Sequence, residues 1–139
     1  MSADHFLDTN ILIYLFDETD EEKSRTATSL VERSLAEGSG CISWQVVQES
    51  INVLTRKLAA TPEDAKRFLD TVLQPLWLVY PSGSLYRNAL DVRSRYRFGL
   101  YDSLIVASAI EAGCRILFSE DLQDGQTIGN LTIRNPLSG

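Results

Sequence analysis

The feature that most constrains this chain is the alternation of short apolar runs with longer stretches of helical periodicity. Phe6-Leu7, Cys41-Ile42, Leu76 to Tyr80, Arg115 to Phe118 and Leu131 to Ile133 are too short for helices and read as strands. Ile11 to Phe16 reads as a short apolar helix. Glu21 to Glu37 carries Ala27, Leu30, Val31, Ser34 and Leu35 as one stripe at helical spacing, and Gly38-Ser39-Gly40 closes it. Ser43 is placed to cap a helix from Trp44 to about Ala59. Thr61-Pro62-Glu63-Asp64 restarts the helical pattern with a cap, a proline at the first helical position and acids in the first turn. Ser82 opens a helix to about Arg95, and Leu100 to Ala112 is a strongly apolar helix stopped by Gly113. Strands alternating with helices predict a parallel sheet covered on both faces, a three-layer α/β/α sandwich with right-handed crossovers. A length of 139 residues fits one domain, 1–139.

Composition removes several function classes. A hydrophobic fraction of 44% supports a core, and no run is long and apolar enough to span a bilayer. Met1-Ser2-Ala3-Asp4 lacks the regions of a signal peptide, so a cytoplasmic protein is expected. In that setting Cys41 and Cys114, far apart in sequence, are expected to be buried thiols rather than a bridge. His5 is the sole histidine, which leaves no zinc site and no triad, and it reads as a strand-edge residue. No Gly-rich phosphate loop or dinucleotide fingerprint is present. Trp44, Trp77, Tyr80 and Phe118 read as core, and the acids of Asp17 to Glu22 as a solvated face. The net charge of −6 argues against a protein that coats duplex nucleic acid. The charge is uneven, however: Arg87, Arg93, Arg95 and Arg97 face only Asp91 in their segment. These arginines are candidates for contact with a phosphate backbone or an acidic partner, weighed against a solvated helix face.

In parallel α/β sheets, sites collect where the strands reach their carboxyl ends. Asp8 follows the first strand, and Asp121 follows the strand ending at Phe118. Glu49 lies in the second turn of the helix after Cys41-Ile42, beside Val46 and Val53 at helical spacing, and so points inward. Asp102 lies in the first turn of the apolar helix. Each acid has a plain structural role available: Asp8 as a helix cap, Asp102 as a complement to the helix dipole, Asp121 as a turn residue. Glu49 is the hardest to explain that way, because glutamate is rarely buried unpaired. Four carboxylates converging on one edge would repel, by about 4 kcal/mol for a pair at ~4 Å and an effective dielectric near 20. Shifted pKa values, pairing with cations or a divalent ion could each relieve this. Oxygen-only ligands favour Mg²⁺ or Mn²⁺ over zinc.

Leu7-Asp8-Thr9-Asn10-Ile11-Leu12, Glu49 in its helix, Tyr101-Asp102-Ser103-Leu104-Ile105-Val106-Ala107-Ser108-Ala109 and Ser119-Glu120-Asp121-Leu122 together resemble the PIN domain, as does the ending from Gly125 to Leu137. A bare domain of this size is most similar to the VapC-type toxins of toxin–antitoxin pairs. The resemblance implies a Rossmann-like sandwich without a nucleotide cofactor and a metal-dependent endoribonuclease using Mg²⁺ or Mn²⁺. It also implies a homodimer and a cognate antitoxin whose tail enters the acidic groove. Asp8, Glu49, Asp102 and Asp121 match the family's acids, with Asp8 and Asp102 the foremost metal ligands. Thr9, Asn10, Ser119 and Ser103 match supporting positions. Ser119 stands where threonine is common, and Glu120 leaves open which of two adjacent acids faces the metal. Two rivals remain. One is a non-catalytic PIN-like module that binds RNA or protein. The other is an aspartate-dependent phosphotransfer or phosphatase domain. Asn10 replaces the second aspartate that a haloacid-dehalogenase-like protein needs, and no lysine follows Lys66 to serve a late strand.

Overall fold

The computed structural model describes residues 3–138. Among them the elements run β1 (His5–Leu7), α1 (Thr9–Ile13), α2 (Glu21–Glu37), β2 (Gly40–Ser43), α3 (Trp44–Arg56) and α4 (Pro62–Phe68). A π-helical turn (Leu69–Leu73), α5 (Gln74–Leu76), β3 (Trp77–Val79), α6 (Gly83–Tyr96), α7 (Leu100–Glu111), β4 (Ile116–Phe118), β5 (Thr127–Ile128) and β6 (Leu131–Arg134) follow. Every strand and helix expected from the sequence is present, with ends that move by up to three residues: β1, β2 and β6 run longer than expected, β3, β4 and α3 shorter, and α1 begins at Thr9 rather than Ile11. The π-helical turn, α5 and β5 are additional.

The strands form one sheet in the order β3-β2-β1-β4-β6-β5, parallel except for β5, which pairs antiparallel with β6. Phe6 and Leu7 are consecutive and both fully buried, as are Cys41 and Ile42, so both faces of the central strands are covered. The chain steps from β1 to β2 to β3 in one direction and returns from β3 to β4 on the other side of β1. Right-handed crossovers therefore set α1 to α5 on one face and α6 with α7 on the other. The helix contacts agree: α1 packs on α2 and α3, α3 on α4, and α6 along α7. Fully buried Ile11, Leu12, Val31 and Leu54 close one face, and the apolar run from Leu104 to Ala109 closes the other.

Local chemistry explains the joints. Thr61 and Asp64 form a reciprocal capping box at α4, with Pro62 at its start. Gly38 caps α2 in the left-handed conformation at φ 64. A Cβ on Gly40 would lie 2.7 Å from Ser34 Cβ, so only glycine lets β2 pass the end of α2. Ser43 holds the cap position of α3, yet its side chain makes no cap hydrogen bond and is buried. Cys41 and Cys114 are buried and unbridged, as expected, but the fold brings their Sγ atoms to 3.6 Å. His5 donates or accepts at 2.7 Å to Ser34 and packs edge-on against Phe118, at the amino end of β1. No helix among the described residues is long and apolar enough to cross a membrane.

Candidate active site

The connections leaving β1 and β4 run in opposite directions, so the crevice beyond their carboxyl ends is the topological switch point of the sheet. The register Leu7↔Phe118 puts the next residues, Asp8 and Ser119, side by side there. Asp8 does cap α1: its Oδ1 accepts from the Thr9 N–H at 2.8 Å. Its Oδ2 accepts from Ser119 Oγ at 2.8 Å and from Asn10 Nδ2 at 3.3 Å. Asn10 reaches Asp121 as well, donating to Oδ2 at 3.1 Å, while its own Oδ1 accepts from the Glu120 N–H at 2.9 Å. Thr9 Oγ1 donates to Glu49 Oε1 at 2.8 Å, linking α1 to α3. Thus Thr9, Asn10 and Ser119 act as a hydrogen-bonded frame for three carboxylates drawn from three segments.

Asp8 is 7% exposed. Burial pushes its carboxyl up to about 6; the bonds from Ser119 and Thr9 oppose the rise, and the charges of Glu49 and Asp121 add to it. Asp102 stands in the first turn of α7, and partial burial together with the charge of Asp121 raises its pKa above the ordinary value. The helix is buried from Ser103 to Ala109, but Asp102 itself is exposed at the lip of the cleft. The four acids thus line one cleft of about 500 Å³.

Glu120 and Asp121 part company. Glu120 Oε1 accepts from Tyr14 Oη at 2.7 Å and Oε2 pairs with Lys23 Nζ at 2.7 Å. Partial burial works against the charged form of Glu120, but the bonds from Lys23 and Tyr14 outweigh it and hold the carboxyl below its usual range. Both of its oxygens are therefore committed to α1 and α2. Asp121 is the one whose charge reaches Asp8 and Asp102.

Other residues fall differently. Ser103 is fully buried, does not line the cleft, and its Oγ has no hydrogen-bond partner. Arg87, Arg93, Arg95 and Arg97 are exposed on α6 and its C-cap, and none lines the cleft. Arg95 borders a separate depression with Tyr96 and Ile110. The sequence reading passed over Gln45, Tyr14, Asp17 and Tyr101, all of which line the cleft. Gln45 sits one turn before Glu49 and Tyr14 one turn after Asn10, so helical spacing from the acid motif was the available signal. Asp17 belongs to the stretch read as solvated; it is half-buried at the cleft, whereas Asp20 caps α2.

The donors fit a hard divalent cation: carboxylates with amide and hydroxyl oxygens, and no His or Cys in the cleft. Among the described residues no three His, Cys, Asp or Glu side chains are grouped closely enough to chelate one ion unaided. That spacing suits Mg²⁺, which takes one or two carboxylates and keeps several waters. Asp8, whose burial makes its charge costly, and Asp102, open at the lip, are the residues that would hold it.

Fold and cleft together define an α/β protein with an acidic, oxygen-donor site at the switch point of a mostly parallel sheet. A sequence model of the PIN domain matches residues 5–123, and the chain belongs to that family. Among solved structures it is similar to a toxin–antitoxin complex from Klebsiella pneumoniae (22% identity, TM-score 0.69, covering 97% of this chain and 98% of that one). It is similar also to VapBC2 from Rickettsia felis bound to a promoter DNA fragment (20%, 0.69, 94% and 97%). A third likeness is to VapC20 from Mycobacterium tuberculosis, described as a sarcin–ricin loop cleaving toxin (18%, 0.62, 85% and 92%). At such identities the likeness is one of fold. No protein of curated function matches the chain at a significant level.

Proposed function

We propose that the protein is a metal-dependent endoribonuclease, the toxin of a toxin–antitoxin pair, acting in the cytoplasm as a homodimer and restrained by a cognate antitoxin. The observation that carries this reading is the gathering of Asp8, Glu49, Asp102 and Asp121 around one cleft whose lining includes no Lys or Arg. Such a cluster is tolerable when a divalent cation shares it. The fold shared with proteins described as toxin–antitoxin complexes, and with one described as a sarcin–ricin loop cleaving toxin, supports the biological setting.

A Mg²⁺ or Mn²⁺ ion supplies positive charge for the phosphate oxygens and lowers the pKa of a water. Asp8, fixed by Ser119 and Thr9, and Asp102 would hold it. Glu49 has one oxygen occupied by Thr9 and offers the other to orient the attacking water and accept its proton. Asn10 keeps Asp121 turned toward the same space. The water oxygen forms the new bond to phosphorus as the P–O3′ bond breaks, leaving a 5′-phosphate and, once O3′ takes a proton from solvent, a 3′-hydroxyl end. The arginines of α6 lie outside the cleft and serve flanking RNA or the acidic antitoxin segment. Digestion of mixed RNA with Mg²⁺ or Mn²⁺, followed by sequencing of the ends, tests the reading. Cleavage abolished by chelator is the expected result; undiminished cleavage in chelator, or none under any metal, overturns it.

A further inference from the structure

An acidic cleft gains little affinity from phosphate charge. Its lining holds no Lys or Arg, and Lys23, the cation at its edge, is paired with Glu120. Beyond the pull of a bound cation on one phosphate, RNA held there needs a grip that is not electrostatic. Tyr101 offers one. It is 70% exposed, lines the cleft, and immediately precedes Asp102. The other exposed tyrosines have ring partners: Tyr80 stacks on Trp77 at 4.9 Å, and Tyr86 lies 6.2 Å from Trp44. Among the described residues the ring of Tyr101 has no aromatic neighbour of this kind.

Its backbone, by contrast, is anchored. The Tyr101 carbonyl accepts from Gln45 Nε2 at 3.1 Å, and Gln45 is 5% exposed on α3, one turn before Glu49. The backbone that carries the ring is thus held to α3 at the wall of the cleft. Resting on the ribonuclease reading, we propose that Tyr101 is the substrate-binding residue of this cleft, stacking on an unpaired RNA base next to the scissile phosphate. Stacking needs a base free of its duplex partner, so the substrate class is single-stranded or looped RNA. Gln45 is a positioning residue that holds the platform through the main chain.

The test uses the full chain carrying Glu49→Gln, which removes the proton acceptor but leaves Asp8 and Asp102 to hold the ion, and a fluorescent single-stranded RNA hexamer followed by anisotropy in Mg²⁺. Adding Tyr101→Ala is expected to weaken binding about 10- to 100-fold, the loss of one stacked base. Adding Tyr101→Phe or Tyr101→Trp keeps the affinity within a few fold. The slope of affinity against salt stays the same in all of them, because no phosphate contact is removed. A hairpin stem of the same sequence binds weakly. The exposed ring is not part of the core and the Gln45 bond is to the backbone, so unfolding does not confound the alanine variant. Equal binding by Tyr101→Ala, failure of Tyr101→Phe to hold the RNA, or equal binding of stem and single strand overturns the proposal. Absence of RNA binding by the Glu49→Gln parent removes the ribonuclease reading itself, and the proposal with it.

Discussion

Replacing Asp8 by asparagine should stabilise the metal-free protein while it disables the site, and the gain should depend on pH in a way that no simple packing change mimics. The Asp8 carboxyl is 7% exposed and its pKa stands at about 6 against 3.8 in the unfolded chain. The native state therefore favours the protonated form. The stability this contributes is complete below about pH 3.8 and is lost as pH rises through 6, beyond which a buried charge must be carried. Two units correspond to about 3 kcal/mol. Asparagine cannot ionise; its carbonyl can keep the bond from Thr9, but the bonds from Ser119 and Asn10 to the other oxygen are lost, at about 1–2 kcal/mol together. The net expectation in chelator at pH 7.5 is a gain of about 1–2 kcal/mol, or roughly 3–10 °C in Tm. At pH 3.5 the variant should fall below the wild type by about 1–2 kcal/mol. Urea unfolding of both proteins at the two pH values measures this. A variant less stable than wild type by the same amount at both would refute the idea that Asp8 is a destabilising buried charge.

Further outcomes follow from neighbouring contacts. Thr9→Val removes the hydroxyl that holds Glu49 but keeps the shape, and should lower kcat by tenfold or more while Tm moves little; an unchanged kcat would detach Glu49 from the chemistry. Glu120→Gln breaks the link to Lys23. Because the folded pKa of Glu120 is depressed, its stabilisation is present above the ordinary carboxylate pKa and lost on acidification, so the variant should be weaker than wild type at pH 7 and converge with it at pH 3. Convergence that fails to occur would show that the pair is idle. Neutralising Arg93 and Arg95 together should flatten the salt dependence of binding to long RNA, and an unchanged slope would remove α6 from that interface.

Much of the architecture is legible because sequence period and burial agree. The stripe from Ala27 to Ser34 is the buried face of α2, and the box at Thr61 forms as its residues require. The four acids were traceable because each follows a strand or opens a helix at one edge of a sheet whose connectivity is set by handedness. β5 escaped because two residues carry no period; the Gly129-Asn130 loop, with Gly129 at φ 60, was the signal for its hairpin. The choice between Glu120 and Asp121 depends on Lys23 and Tyr14, residues about a hundred positions away, which no local pattern reveals. The same is true of Ser103, which the helix turns into the core beside an acid it leaves at the surface. Cys41 and Cys114 meet because β2 and the end of α7 flank the amino end of β1, a consequence of topology alone.

The most direct measurement of whether Asp8 and Asp102 share one metal-binding space is a Mn²⁺ titration of the full-length protein followed by electron paramagnetic resonance. Wild type should take up Mn²⁺ tightly, and Asp8→Asn and Asp102→Asn, though drawn from opposite faces of the sheet, should each abolish the same binding. Mn²⁺ uptake that survives both substitutions undiminished would contradict a shared cation in this cleft.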